Sequence, residues 1–351
     1  DHFTNSKAGS ASIWVKDFNK NNLYKNNIYV CGNTDNLKDL ITKKNYLNIE
    51  FPINTFRSKN TSYVNQFIKL HYKYKFSLIE IHNRPSYINY LIQKNIKSEF
   101  VLIFHNNPLN LGGSKTVSER EELIKNCKKL IFVSNWVKEK FFEGIDKKEP
   151  AKCIVIYPSI NSIKKFPKKK KIIAFVGKLN RSKGFHIFGS SIIKILNKYS
   201  DWHSIVIGDE PREKYNFNHK NLHYKGWLSH KKTMDLYNQA SISVVPSFWE
   251  EPFGRTAMEA ASRGCATIIS KRGGLIETIS DAYYLEKLNA KSLFKKIENL
   301  IKNKKELSII QKRSFDNVLH KLSENTKKID LYRDEIFKDK LFHKPRKKNL
   351  K

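Results

Sequence analysis

Short apolar runs alternate with longer amphipathic stretches along this chain, and the alternation runs through twice. In the first half SIWVKDFNKN reads as a helix, NIYVCGN and LNIEFPI as strands, and residues 60–74 as a helix leading into the strand FSLIEIHN. Residues 86–95, SEREELIKN and WVKEKFFEGI read as helices, set between the strands FVLIFHN, LIFVSN and CIVIYPS. Strands that are apolar without alternation are buried on both faces, so the helices between them must cover a parallel sheet from both sides. A charged linker, NSIKKFPKKKK at residues 161–171, interrupts the pattern. It then restarts with the strand IIAFVG, a helix at FHIFGSSIIKILNKY, the strand WHSIVIGD, a strand and turn at LHYKGWL, a helix at KKTMDLYNQA, the strand ISVVPS, a central helix, ATIIS, a helix-or-loop stretch at GGLIETI and AYYL, with helices from about Ala290 onward. Two doubly wound α/β halves are predicted, with domains at 1–165 and 166–325 and a terminal helix plus basic tail at 326–351. In open parallel sheets ligands bind beyond the carboxyl ends of the strands, so a cleft between the halves is the expected site. The opening DHFTNSKAGS reads as a loop with no strand before the first helix: either the sheet's first strand is expected upstream of Asp1, joined to that helix through Ala8–Ser10, or the segment is an ordinary flexible N-terminus.

The stretch richest in chemistry is residues 244–264, VVPSFWEEPFGRTAMEAASRG. An apolar run ends at Pro246, an acidic and aromatic corner follows, and a helix pattern begins near Arg255. A helix start presents unpaired N–H groups and the positive end of the macrodipole, so Phe253, Gly254, Arg255 and Thr256 are candidates to hold a phosphate. Gly254, lacking a Cβ, lets backbone approach an anion closely. Glu251 before the turn and Glu259 one turn into the helix can flank such a pyrophosphate and accept hydrogen bonds from sugar hydroxyls. The competing reading pairs Glu259 with Arg255 at i, i+4 on a solvated face and leaves Glu251 on an ordinary loop.

A second candidate phosphate loop is FVGKLNRSKG at residues 175–184, with Gly177 at a strand end, Lys178 after it, and Lys183 before the next helix. Two ammonium groups would converge on one anion there, although a lysine-rich chain also sets Lys beside Gly by chance.

Glu251, Pro252, Phe253, Gly254 and Glu259 together resemble the signature of the retaining GT-B glycosyltransferases of family 4. The resemblance implies two Rossmann-like domains facing each other across a cleft. It also implies transfer of a sugar from a UDP-, GDP- or ADP-sugar to a glycan or lipid-linked acceptor, with no resident cofactor or metal. It gives Glu251 the donor sugar, Glu259 the ribose hydroxyls, and the backbone from Phe253 to Thr256 the diphosphate. Lys178 and Lys183 stand where the family neutralises the diphosphate, but the family has an arginine at the first position. An ammonium offers a point charge without a bidentate fork, leaving phosphate orientation weaker or assisted by Arg181. FHNNP places His105 where a family histidine meets the donor sugar. IHNRP gives His82 the same setting one strand earlier, and the order of the following segments favours His105. Gly208 in IGDE ends a further strand, with Glu210 where the family usually has a second glycine. Trp227 in KGWL is the expected neighbour of the base, its alternative being a core or surface anchor. GGLIETI resembles the loop that closes the donor pocket, with Glu277 structural. The family also implies that the Ala8–Ser10 loop lines the cleft and that LYRDEIF crosses back to the first domain.

Charge admits a rival class. Of 351 residues, 66 are Lys or Arg and 33 Asp or Glu, a net +33, which attracts anionic partners. The excess is uneven: residues 1–150 hold 24 basic and 14 acidic side chains, residues 151–200 hold 12 basic and none acidic. A nucleic-acid-binding protein is therefore the alternative from another class, but the basic runs lie in a linker and a tail, not interleaved with aromatics in an RNA-binding signature. A GT-B relative with other chemistry, an epimerase or a phosphorylase, is the third reading. The same positive surface suits peripheral contact with an anionic membrane. No apolar run approaches the about 18 residues of a spanning helix, and the four cysteines sit apart with no Cys-x-x-Cys pair, as expected of reduced thiols in a cytoplasmic protein. No Asp-x-Asp, Gly-x-Gly-x-x-Gly, P-loop or Gly-x-Ser-x-Gly pattern occurs, which argues against a metal-bridged diphosphate, a dinucleotide cofactor, a P-loop nucleotidase and a serine hydrolase.

Overall fold

The computed structural model describes residues 3–6, 8–20, 22–50 and 58–342. The expected strand at LNIEFPI lies partly outside these, as do part of DHFTNSKAGS and the basic tail KPRKKNLK.

The first half runs α1 (Ser10–Lys20), β1 (Val30–Gly32), β2 (Tyr46–Asn48), α2 (Lys59–Tyr74), β3 (Leu78–His82), α3 (Ser86–Gln93) and β4 (Glu99–Phe104). It continues through α4 (Val117–Asn126), β5 (Lys129–Phe132), α5 (Asn135–Phe142) and β6 (Cys153–Val155). β3, β4, β5 and β6 form one parallel sheet in that order, while β1 and β2 pair only with each other among the described residues. The strands of this half are parallel as expected, but among the described residues the main sheet advances in one direction from β3 to β6, with β1 and β2 apart from it. The helices start where local chemistry favours it. Thr116 and Glu119 close a capping box on α4, and the Ser134 hydroxyl accepts from Val137 N at the start of α5.

The second half runs β7 (Lys170–Val176), α6 (Phe185–Lys198), β8 (His203–Ile207), β9 (Leu222–Tyr224), α7 (His230–Gln239), β10 (Ala240–Val245), α8 (Arg255–Ser262), β11 (Ala266–Ser270) and β12 (Tyr283–Leu285). Helices α9 (Ala290–Lys302), α10 (Lys304–Asp316) and α11 (Leu322–Phe342) follow. Its six parallel strands are ordered β12-β11-β10-β7-β8-β9. The chain winds outward from β7 to β9, then starts again at β10 on the other side of β7. The crevice beyond β7 and β10 is therefore the point where strand order reverses, and both glycine-bearing loops found in the sequence leave from it.

The linker is shorter and less solvated than its charge suggested. β7 already begins at Lys170, and the Lys169 ammonium turns inward to donate to Tyr237 O at 2.9 Å and to Arg263 O. Buried carbonyls at the ends of α7 and α8 need a donor, and this lysine supplies it. α11 packs against the first-domain sheet: Leu322, Ile329, Tyr332 and Ile336 share an apolar cluster with Trp14 and Phe18 of α1 and with Val101, Ile103 and Ile131. Arg333 of α11 forks onto Glu80 of β3 at 2.8 Å through both Nε and Nη2, and Tyr332 donates to the same carboxylate. Burial pushes the Glu80 carboxyl upward, but the Arg333 charge and the hydrogen bonds from Arg333 and Tyr332 together outweigh it and hold the group below its ordinary value.

Candidate active site

A cavity of about 400 Å³ opens between the two domains at the strand ends. The second domain contributes Gly177 and Lys178 after β7, Lys183 before α6, Ser247 and Trp249 after β10, and Glu251, Phe253, Gly254, Arg255 and Thr256 leading into α8. The first domain contributes Ser10 at the start of α1, His105 and Asn106 after β4, and Val133 after β5.

Glycines make the floor possible. Gly254 caps α8 with φ of 98°, and a Cβ there would lie 2.4 Å from Leu275 Cδ1. Gly208 holds φ at 131°, and a Cβ on it would stand 1.8 Å from Gly177 O, an overlap no side chain survives. Gly208 therefore does not line the cavity; it lets the loop after β8 pass against Gly177, which does.

Lys183 and Glu251 meet inside the cavity, with Nζ 2.6 and 2.8 Å from the two carboxylate oxygens. The Ser247 hydroxyl donates to the same carboxylate, a contact that Ser247, four residues before Glu251 in VVPSFWEE, gave no sign of in sequence. Asn180 Oδ1 accepts from Lys183 N at 3.0 Å and shapes the loop. Lys178 is exposed at the cavity wall and makes no ion pair with any described residue.

Glu259 is placed differently from the cavity group. It is buried and does not line the cavity; its Oε1 takes Arg255 Nε at 3.0 Å and His230 Nε2 at 2.9 Å. Arg255 in turn reaches Asp17 of α1, Nη2 to Oδ2 at 3.1 Å, so an ionic chain crosses the domain boundary at the edge of the cavity. The i, i+4 contact between Arg255 and Glu259 is present, but on a buried face. Burial pushes Glu259 upward, yet the His230 hydrogen bond and the Arg255 charge together hold it below its ordinary value. Asp17 is raised because burial exceeds the help it gets from Arg255. Asp17 and His230 were not found from sequence, because their partners lie on other elements.

Trp227 also stands outside the cavity. Half its surface is exposed and its Nε1 donates to Ser6 O at 2.7 Å, which makes it an anchor for the chain's first turn. Glu210 is held by Arg212 at 2.6 Å, so the loop after β8 is closed by an ion pair where the family usually has glycine. Glu277 accepts from the α5 backbone at Asn135 N (2.8 Å) and Trp136 N (2.9 Å) and from Tyr157 at 2.9 Å. It thereby caps a first-domain helix from the second domain. Of the two histidines, His105 lines the interdomain cavity, while His82 faces the first-domain cavity behind it. Burial drives the His105 imidazole well below its ordinary value, with His82 and Arg255 adding to the effect, so it is neutral.

Residues 158–327 match the family model described as Glycosyl transferases group 1. The putative glycosyltransferase YtcC of Bacillus subtilis is 25% identical over 235 residues, covering 58% of this chain and 58% of its own length, so the match spans less than two thirds of that relative. The lipopolysaccharide 1,2-N-acetylglucosaminetransferase of Salmonella typhimurium is 24% identical over 291 residues, covering 72% of each. Among solved structures the Anabaena protein HepE, determined in complex with UDP-glucose, superposes with a TM-score of 0.74 at 14% identity, over 95% of this chain and 98% of that one. At that identity the likeness is one of fold, and the fold is GT-B.

Proposed function

We propose that this chain, a glycosyltransferase of GT-B architecture with a group 1 domain, moves a sugar from a nucleoside diphosphate sugar to a glycan or lipid-linked acceptor with retention of configuration. The observation that carries the reading is the convergence of Lys178, Lys183, Glu251 and the α8 N-terminus of one domain with His105 of the other on a single cavity. Relatives named for sugar transfer, and a fold neighbour determined with UDP-glucose, support a nucleotide sugar as donor.

In this reading the diphosphate lies against Gly177 and the N–H groups from Gly254 to Thr256. Lys183 turns from Glu251 toward it, and Lys178 reaches in from the wall. As the sugar–phosphate bond breaks, the negative charge growing on the departing nucleoside diphosphate is met by the two ammonium groups once they have swung in and by a helix dipole already in place, with no metal required. Glu251, released by Lys183 and still held by Ser247, accepts from sugar hydroxyls. The neutral His105 imidazole can hydrogen-bond the sugar without adding positive charge beside a developing oxocarbenium ion. The acceptor attacks from the face the diphosphate leaves, and no covalent nucleophile is assigned. Arg255 and His230 both bond Glu259 Oε1, which leaves Oε2 to accept from the ribose hydroxyls. No helix among the described residues is long and apolar enough to cross a membrane; contact with an anionic membrane surface rests on the chain's positive charge alone.

A thermal-shift panel of nucleoside diphosphates and their sugars, followed by transfer assays with radiolabelled donors and a lipid extract, tests the reading. Ligand at 100 times its Kd should add about 2.7 kcal/mol of stability. Stabilisation by oligonucleotides but by no nucleoside diphosphate would overturn it, and sugar release or inversion without a transfer product would replace transfer with another chemistry.

A further inference from the structure

Two histidines at the ends of adjacent strands share one hydrogen bond: His82 Nδ1 and His105 Nε2 are 2.9 Å apart. Their rings stack with centroids 5.2 Å apart at 25°. The register explains why they meet. His82 of β3 lies opposite Ile103 of β4, and His105 is two residues further on, so both project from the same sheet face. Trp14 of α1 closes over that face, its ring meeting His82 at 5.4 Å and His105 at 5.6 Å, both edge-on. One step back on the same face is Glu80, pinned by Arg333 and Tyr332 of α11. The next residue joins in as well: Asn83, with φ of 55°, turns its Oδ1 to accept from His105 N at 2.7 Å and Asn106 N at 3.1 Å. The IHN segment is thus built around the FHN segment.

We propose that His82 is a positioning residue for His105, fixing its ring orientation and tautomer so that one defined nitrogen, Nδ1, meets the sugar donor. The proposal rests on the donor-site reading of His105. With Nε2 taken by His82, Nδ1 is the ring nitrogen left to a ligand, and no described residue bonds it. A neutral imidazole with one nitrogen committed has one available tautomer as long as its partner keeps the complementary one. The groups facing the pair favour the neutral form of both rings. Burial and Arg333 push His82 down to about 4 against the pull of Glu80, and Arg255 of α8 adds positive charge beside His105. An imidazole free to rotate or to exchange tautomers would present the wrong nitrogen for part of the time, and misplacement at a reacting centre is costly.

The test uses the full chain with three substitutions. His82→Asn keeps an amide where imidazole Nδ1 lies, His82→Phe keeps the ring but removes the hydrogen bond, and His105→Ala removes the group being positioned. His82→Phe should lower kcat about tenfold or more with the Kd for nucleoside diphosphate unchanged, and His82→Asn should recover most of the loss. Imidazole ¹⁵N spectra of the wild-type protein should show His105 as a single neutral tautomer, giving way to a mixture in His82→Phe. Full turnover in His82→Phe beside an inactive His105→Ala would overturn the positioning role alone, as would mixed tautomers in the wild type. Full turnover in His105→Ala would overturn the donor-site reading and the proposal with it.

Discussion

Lys183 and Glu251 hold each other in a bidentate contact at 2.6 and 2.8 Å on the second-domain side of the cavity, the carboxylate almost fully buried and the ammonium partly open to the cleft. A pair of this kind stores the charge needed for an anionic donor without leaving either group unpaired. Lys183→Ala should lower kcat/KM by about 10²-fold or more, in line with loss of a charge that acts on the leaving group. It should also lower the melting temperature, because it strands Glu251 with Ser247 alone. The double variant Lys183→Ala with Glu251→Gln should melt above the single Lys183→Ala while remaining inactive. Thermal unfolding with steady-state kinetics on the four proteins of the cycle checks this.

Arg255 joins Asp17 of the first domain to Glu259 of its own helix. Asp17→Asn should leave Arg255 on Glu259 alone, weaken the hold between domains, and change nucleotide affinity by no more than a few-fold. Glu259→Ala should instead abolish nucleoside diphosphate binding if Glu259 reads the ribose, and it leaves a buried guanidinium with Asp17 only, at a stability cost of about 3 kcal/mol. Calorimetric titration of both variants with a nucleoside diphosphate separates the two roles; equal tolerance of both changes counts against a ribose contact at Glu259.

Gly208 has no space for a side chain, with Gly177 O 1.8 Å from where a Cβ would stand. Gly208→Ala should push the two loops apart, cost about 3 kcal/mol of stability, and weaken nucleotide binding although residue 208 does not line the cavity. A Gly226→Ala control, at a positive φ with open space around it, should cost less. Chemical denaturation midpoints and nucleotide Kd values make the comparison.

The buried histidines set an acid limit on stability. His82 is pushed down to about 4 by burial, and His105 is also held well below its ordinary value. In the unfolded chain both take up a proton near pH 6.5, while in the folded protein neither does until the pH is lower. Below pH 6.5 the unfolded state therefore binds more protons, and stability should fall as pH drops toward about 4. Glu259 and Glu80, both held below their ordinary values, add a further loss at still lower pH as they protonate. Urea unfolding from pH 7.5 to 4.5 should show this slope, and His82→Asn should make it shallower by up to one proton.

The parallel strands of both halves were legible because strands buried on two faces leave continuous apolar runs, which β4, β7 and β10 show clearly. Gly254 could be read as a close-approach point because a glycine between a strand and a helix has few other uses, whereas a Cβ on Gly177 would meet only Phe175 Cε1 at 4.0 Å. Where Glu259 and Trp227 point could not be read in the same way. Each side chain is claimed by a partner far off in sequence, His230 for one and the backbone of Ser6 for the other, and no local pattern encodes a contact between distant elements. The split in the first sheet and the inward turn of Lys169 were hidden for the same reason.

Sequence alone determined the two parallel-sheet halves, the helix start at Arg255 and the basic and acidic residues beside it, since these follow from hydrophobic period and local backbone chemistry. Tertiary structure decided which of those charges face one another. Ion pairing and burial depend on the distance between elements, which strand order and domain packing set, so Lys183 met Glu251 in the cleft while Arg255 reached across the boundary to Asp17 and took Glu259 out of it.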